Sequence, residues 1–90
     1  MADTGKTPAE RLYETVARGT QMPDDIREGM AVIDQWQWQS LSGGERAALS
    51  IALSLHGVSL DLRLRDVFGC MDHHHAEMCL DAMTETAGLA

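Results

Sequence analysis

Ninety residues is room for one domain, too few for a two-domain enzyme and tight for a cofactor-binding doubly wound sheet. Apolar residues at 44% and charged ones at 23% exclude a disordered chain, and 21 Ala plus Leu against seven Val plus Ile favour helix over sheet. Fourteen acids against seven bases give a formal charge of −7, which disfavours nucleic acid and anionic membrane surfaces, because both are held chiefly by Lys and Arg.

Residues 1–6 are small and polar and read as a disordered tail, leaving 7–88 as a single helical domain. The tail has no apolar run of the signal-peptide kind, and no stretch approaches the roughly 18 apolar residues that span a bilayer. Two cysteines are too few for a disulfide scaffold, so a cytoplasmic location with reduced thiols is expected.

Thr7-Pro8-Ala9-Glu10 combines a capping box with Pro at the first helical position and opens a helix over 8–18. Ala9, Leu12, Tyr13 and Val16 form its apolar stripe, and Gly19 suits the left-handed residue that ends it. Met22-Pro23-Asp24-Asp25 opens a second helix with two carboxylates facing the positive end of the helix dipole. Ile26, Met30, Ile33 and Trp36 or Gln37 keep helical spacing, so the helix is carried through to about Gln39, although Gly29 costs about 1 kcal/mol relative to Ala.

Ser42-Gly43-Gly44-Glu45 is a second capping box. It leads into a helix over about 43–56 in which serines are the only polar side chains from Ala47 to Leu55. A helix apolar nearly all round is enclosed by others, so this is the predicted hub. Residues 58–65 carry two patterns. Val58, Leu60, Leu62 and Leu64 alternate with polar residues as in a strand, whereas Leu60, Leu64, Val67, Phe68 and Met71 share one helix face. The helical pattern is longer and is preferred. Asp72 then caps a last helix over about 73–87, with Ala76, Cys79, Leu80, Met83 and Ala87 facing inward. The predicted fold is therefore all-α, a small irregular bundle of four to five short helices around the central Ala- and Leu-rich one.

The run Leu41-Ser42-Gly43-Gly44-Glu45-Arg46-Ala47-Ala48-Leu49-Ser50-Ile51-Ala52-Leu53 resembles the signature motif of ABC-type ATPases, especially the version in chromosome-maintenance ATPases. That resemblance, about 13 of 90 residues, implies a helix N-terminus that grips the γ-phosphate of ATP. The chain has no P-loop and no Walker B strand to accompany it, and a capping box on an Ala-rich helix gives the same letters. Leu55-His56-Gly57-Val58-Ser59 resembles the turn of a helix-turn-helix, but Arg63 and Asp66 stand where its second helix needs apolar residues.

Cys70, Asp72, His73, His74, His75, Glu77 and Cys79 fall within ten residues. His75 and Cys79 are four apart on a helix, as zinc ligands are, and Cys70 could fold back to join them. Against this, Cys79 lies on the apolar stripe, where a free Cys packs as a small hydrophobe. His73 and Glu77 are also four apart and can pair when the imidazole is charged. No nucleophile with a positioned base is evident, so neither enzymatic activity nor a cofactor is expected.

Trp36 and Trp38 point about 200° apart on a helix, so one core cannot take both. Trp36 continues the apolar stripe and is expected inside. Trp38 is either packed under the Leu41 turn or exposed as an anchor for a partner. The function expected is thus a small acidic module that binds another protein, as regulator, adaptor or inhibitor. Trp38 and the acids Asp61, Asp66, Glu77, Asp81 and Glu85 are the candidate contact residues, the partner has a basic surface, and self-association into a homodimer is open. The alternatives are an acidic decoy that blocks a nucleic-acid-binding complex, and a metal-stabilised domain using Cys70, His75 and Cys79.

Overall fold

The structure, a computed structural model, describes residues 5–89, so most of the tail expected at 1–6 lies outside the described residues. Among them the chain forms six helices and no strand: α1 (Pro8–Ala17), α2 (Ile26–Ala31), α3 (Trp36–Gln39), α4 (Gly43–Leu55), α5 (Leu64–Gly69) and α6 (His73–Thr86). The fold is all-α, a small bundle. None of these helices is long and apolar enough to cross a membrane.

Both capping boxes form. The Thr7 hydroxyl accepts from the Glu10 N–H while the Glu10 carboxylate accepts from the Thr7 N–H, and Ser42 and Glu45 repeat the arrangement at the start of α4. Gly19 ends α1 with φ +91° and Gly57 ends α4 with φ +107°, conformations that side chains resist. At the end of α4 the Gly57 N–H donates to the Ser54 carbonyl and the Val58 N–H to the Leu53 carbonyl, which reverses the chain sharply.

α4 is the hub. Every residue from Ala47 to Leu53 is buried, and α1 and α6 pack against α4 and against each other. Ala48, Ala52 and Ser50 let those neighbours approach closely, and Ser50 returns its hydroxyl to the Arg46 carbonyl. Tyr13, Leu49, Leu53 and Cys79 are the largest fully buried side chains at the centre of this three-helix contact.

Three predicted elements differ from what forms. The second helix does not run to Gln39. It stops at Ala31, two single turns follow (Val32 N–H to Gly29 carbonyl, Gln35 N–H to Val32 carbonyl), and α3 is a separate turn of helix, so six helices replace four to five. A straight helix would splay Ile33 and Trp38 about 140° apart, and the break at Val32–Gln35 lets both rest on the core. Met30, expected on the buried stripe, is exposed as a result.

The stretch 58–63 is not helical, whereas Leu64 and Arg65 open α5. From Gly57 the chain runs without regular structure to Arg63, whose backbone is extended. The extended form puts Val58, Leu60 and Leu62 on one side, all three packed against the core, whereas a helix would splay Leu60 and Leu62 about 200° apart. Finally, α6 is rotated from its expected setting. Cys79 and Ala82 are buried and Met78 and Met83 partly so, while Leu80 and Ala87 face outward, Leu80 at 52% exposure. Small Cys79 and Ala82 permit a close approach that Leu80 would prevent.

Candidate functional site

Trp36, expected inside, is outside, and Trp38 takes the packed one of its two expected positions. Trp38 is half-buried against the core, and Trp36 stands 61% exposed on α3. The cause is the break before α3, which turns residue 38 inward. Arg46 holds this arrangement: one of its guanidinium nitrogens donates to the carbonyls of Gln39 (3.0 Å) and Leu41 (3.1 Å), tying the end of α3 to the first turn of α4. Neither contact is visible as a sequence pattern, because the acceptors are backbone atoms.

The acids predicted as contact residues are all exposed: Asp61 on the extended segment, Asp66 on α5, and Glu77, Asp81 and Glu85 on α6. They differ in how they are engaged. Glu85 pairs with Arg11 of α1 at 2.7 Å, and Glu77 lies 3.4 Å from the His73 imidazole on the surface of α6. Asp81 and Glu85 line one side of a shallow groove of about 180 Å³ between α1 and α6, with Arg11 opposite.

A second groove, of about 160 Å³, lies at the other side of α1 and is lined by Lys6, Glu10, Glu14, Asp24, Asp25 and Ile26. Four of these six are acids; the sequence pattern marks Glu10, Asp24 and Asp25 only as helix-start residues and does not single out Glu14. The signal was present: Glu10 and Glu14 are one turn apart on α1, and Asp24-Asp25 precedes the helix that packs beside it. The Lys6 ammonium, 2.8 Å away, holds the Glu14 carboxyl below its usual range, and Arg18 adds to this at 3.5 Å. The Thr7 backbone N–H does the same for Glu10.

The cysteine and histidine cluster does not converge. Among the described residues no three His, Cys, Asp or Glu side chains are placed to hold a metal ion. Cys70 is exposed in the turn before α6, whereas Cys79 is fully buried, its thiol 3.6 Å from the Met71 sulfur and pushed up to a pKa of about 11 by burial. His75 is occupied locally: its N–H caps on the Asp72 carboxylate, and its Nδ1 lies 3.0 Å from the same group. Donation from that backbone N–H is the main reason the Asp72 carboxyl sits below its usual range. The three candidate ligands Cys70, His75 and Cys79 therefore occupy a turn, a helix cap and the core, not one site.

The Ser-Gly-Gly run has a structural use. Ser42 and Glu45 form the cap, and Gly44 faces the Cys70 carbonyl so closely that a Cβ there would lie 3.2 Å from it. The missing side chain lets the α5–α6 turn close over the start of α4, which accounts for Ser42, Gly44 and Glu45 without a nucleotide. Against known protein families, curated proteins and solved structures, the chain finds no match.

Proposed function

We propose that this chain is a small non-enzymatic module that works by binding another protein in the cytoplasm, with Trp36 as the anchor. The observation that supports this most is the exposure of Trp36: a large aromatic side chain held at 61% exposure on a short helix that Arg46 ties down. Exposed aromatics on a braced surface are the residues that supply most of the energy in protein interfaces. The formal charge of −7 and the acid-lined groove beside α1 favour a partner segment that carries Lys or Arg. Regulator, adaptor and inhibitor are all compatible roles for such a module.

The test is to place a photo-crosslinking residue at position 36 in the native host, identify the trapped partner, and measure its binding to the purified chain. Trp36→Ala should weaken that complex by about 10-fold or more while leaving helix content unchanged. Raising salt from about 50 to 500 mM should weaken it further if a basic segment is involved. Equal affinity for Trp36→Ala and the parent would overturn the assignment of the anchor.

A further inference from the structure

The segment 58–63 after α4 has the burial pattern of a strand but no sheet to join. Val58, Leu60 and Leu62 rest on the core while Ser59, Asp61 and Arg63 face outward, the alternation of a half-buried strand. Among the described residues the N–H groups of Ser59, Leu60, Asp61, Leu62 and Arg63 donate to no protein group; the backbone bonds resume only where Val67 donates to the Arg63 carbonyl. An extended backbone fixed on one face, with its donors unpaired along an edge, is the template on which another chain adds as a strand.

We infer that this edge pairs with the same segment of a second copy, antiparallel, with Leu62 on the two-fold axis. The sequence of the segment carries the choice of partner and register. With Leu62 opposite Leu62, Asp61 of each copy stands opposite Arg63 of the other, and the pair occurs twice. The ladder is short, Asp61 to Arg63 on each copy, because α5 begins at Leu64. A register centred on Asp61 sets two carboxylates against each other, and one centred on Arg63 sets two guanidinium groups together.

The arrangement is isologous and closes at two copies. It falls beside Leu64, which is 52% exposed at the start of α5 and forms, with Leu55, Leu62 and Met83, the wall of a shallow apolar groove of about 60 Å³. In an antiparallel pair both even-numbered faces lie on one side of the ribbon, so the two cores sit side by side beneath it and the charged pairs lie on the outer face. This pairing is independent of the partner engaged by Trp36.

Sedimentation equilibrium on the full chain, from about 10 µM to about 1 mM at low salt, tests it. The parent should dimerise. Asp61→Arg and Arg63→Asp should each weaken the dimer by about 10-fold or more, because each replaces two attractive pairs by two repulsive ones. An equimolar mixture of the two variants should associate again as a heterodimer, and a single chain carrying both changes should recover the homodimer. Both positions are exposed, and circular dichroism confirms that each variant is folded. A parent chain that stays monomeric at 1 mM, or a dimer indifferent to the charge swap, overturns the proposal, as does an edge that accepts only a foreign extended peptide.

Discussion

The ring of Tyr13 lies so close to Gly29 that a methyl group at residue 29 would overlap the phenol. Gly29 is thus a packing requirement: α2 approaches α1 closely only because residue 29 has no side chain. On helix propensity alone, Gly29→Ala stabilises by about 1 kcal/mol. The overlap reverses the sign, and Gly29→Ala should instead lower stability by about 1–3 kcal/mol. Gly43→Ala is the contrast, since its Cβ would meet only the Cys70 side chain at 4.0 Å. Urea unfolding of the two variants checks both signs.

The Tyr13 hydroxyl is buried and has no hydrogen-bond partner among the described residues. Removing an unpaired buried polar group relieves its desolvation, so Tyr13→Phe should be neutral or stabilising by up to about 1 kcal/mol. Tyr13→Ala, which empties the site, should cost about 3–5 kcal/mol. Thermal unfolding separates the two outcomes.

Burial, with the carboxylates of Asp24, Asp25 and Glu28 adding to it, pushes the Tyr13 phenol up to a pKa of about 12. An unfolded tyrosine ionises near 10, so above that pH the unfolded state releases a proton that the folded state keeps. The contribution of Tyr13 is therefore complete below about pH 10 and is lost as pH rises toward 12. Tyr13 is the only tyrosine in the chain, so its tyrosinate absorbance can be read directly. Absorbance and helix content should change together at high pH, and Tyr13→Phe should move the alkaline unfolding midpoint upward.

Arg46 joins α3 to α4 through two carbonyl acceptors. Arg46→Met keeps much of the apolar stem but removes both bonds, and should cost about 2 kcal/mol. In a Trp36→Phe background the remaining emission comes from Trp38. That emission should shift to longer wavelength in Arg46→Met as α3 loosens and Trp38 meets water.

The thiols should react at very different rates. Exposed Cys70 should be modified promptly by a disulfide reagent at pH 8, while Cys79, fully buried and with its pKa pushed up to about 11, should react only on unfolding. One fast equivalent in buffer and two in denaturant is the expected count. Two fast equivalents would mean that α6 opens readily from the core.

The two capping boxes, the Gly stops and the all-round apolar α4 were legible in the sequence because each is a local matter. Thr7 and Glu10, or Ser42 and Glu45, are three residues apart and find each other whatever the rest of the chain does. The burial of Ala47–Leu53 follows almost as directly, since the one polar side chain in that run, Ser50, satisfies its hydroxyl on the Arg46 carbonyl. Periodicity failed where two patterns shared the same residues. At 58–65 both a strand and a helix face were present, and at α6 the expected stripe took in Leu80 where the packed face holds Ala82.

Those ties were broken by neighbours distant in sequence. The reversal at Gly57 lays Leu60 and Leu62 on the core as extended chain, and close packing of Cys79 and Ala82 turns Leu80 outward. The same holds for the candidate site. That the two tryptophans cannot share one helix face was determined by their spacing of two, and that one of them stands outside was not. That it is Trp36 was decided by the break at Val32–Gln35 and by the grip of Arg46 on Gln39 and Leu41. Caps and helix faces are set by residues within one or two turns, whereas the rotation of a helix and the aim of a single ring depend on the shape of the surface they meet.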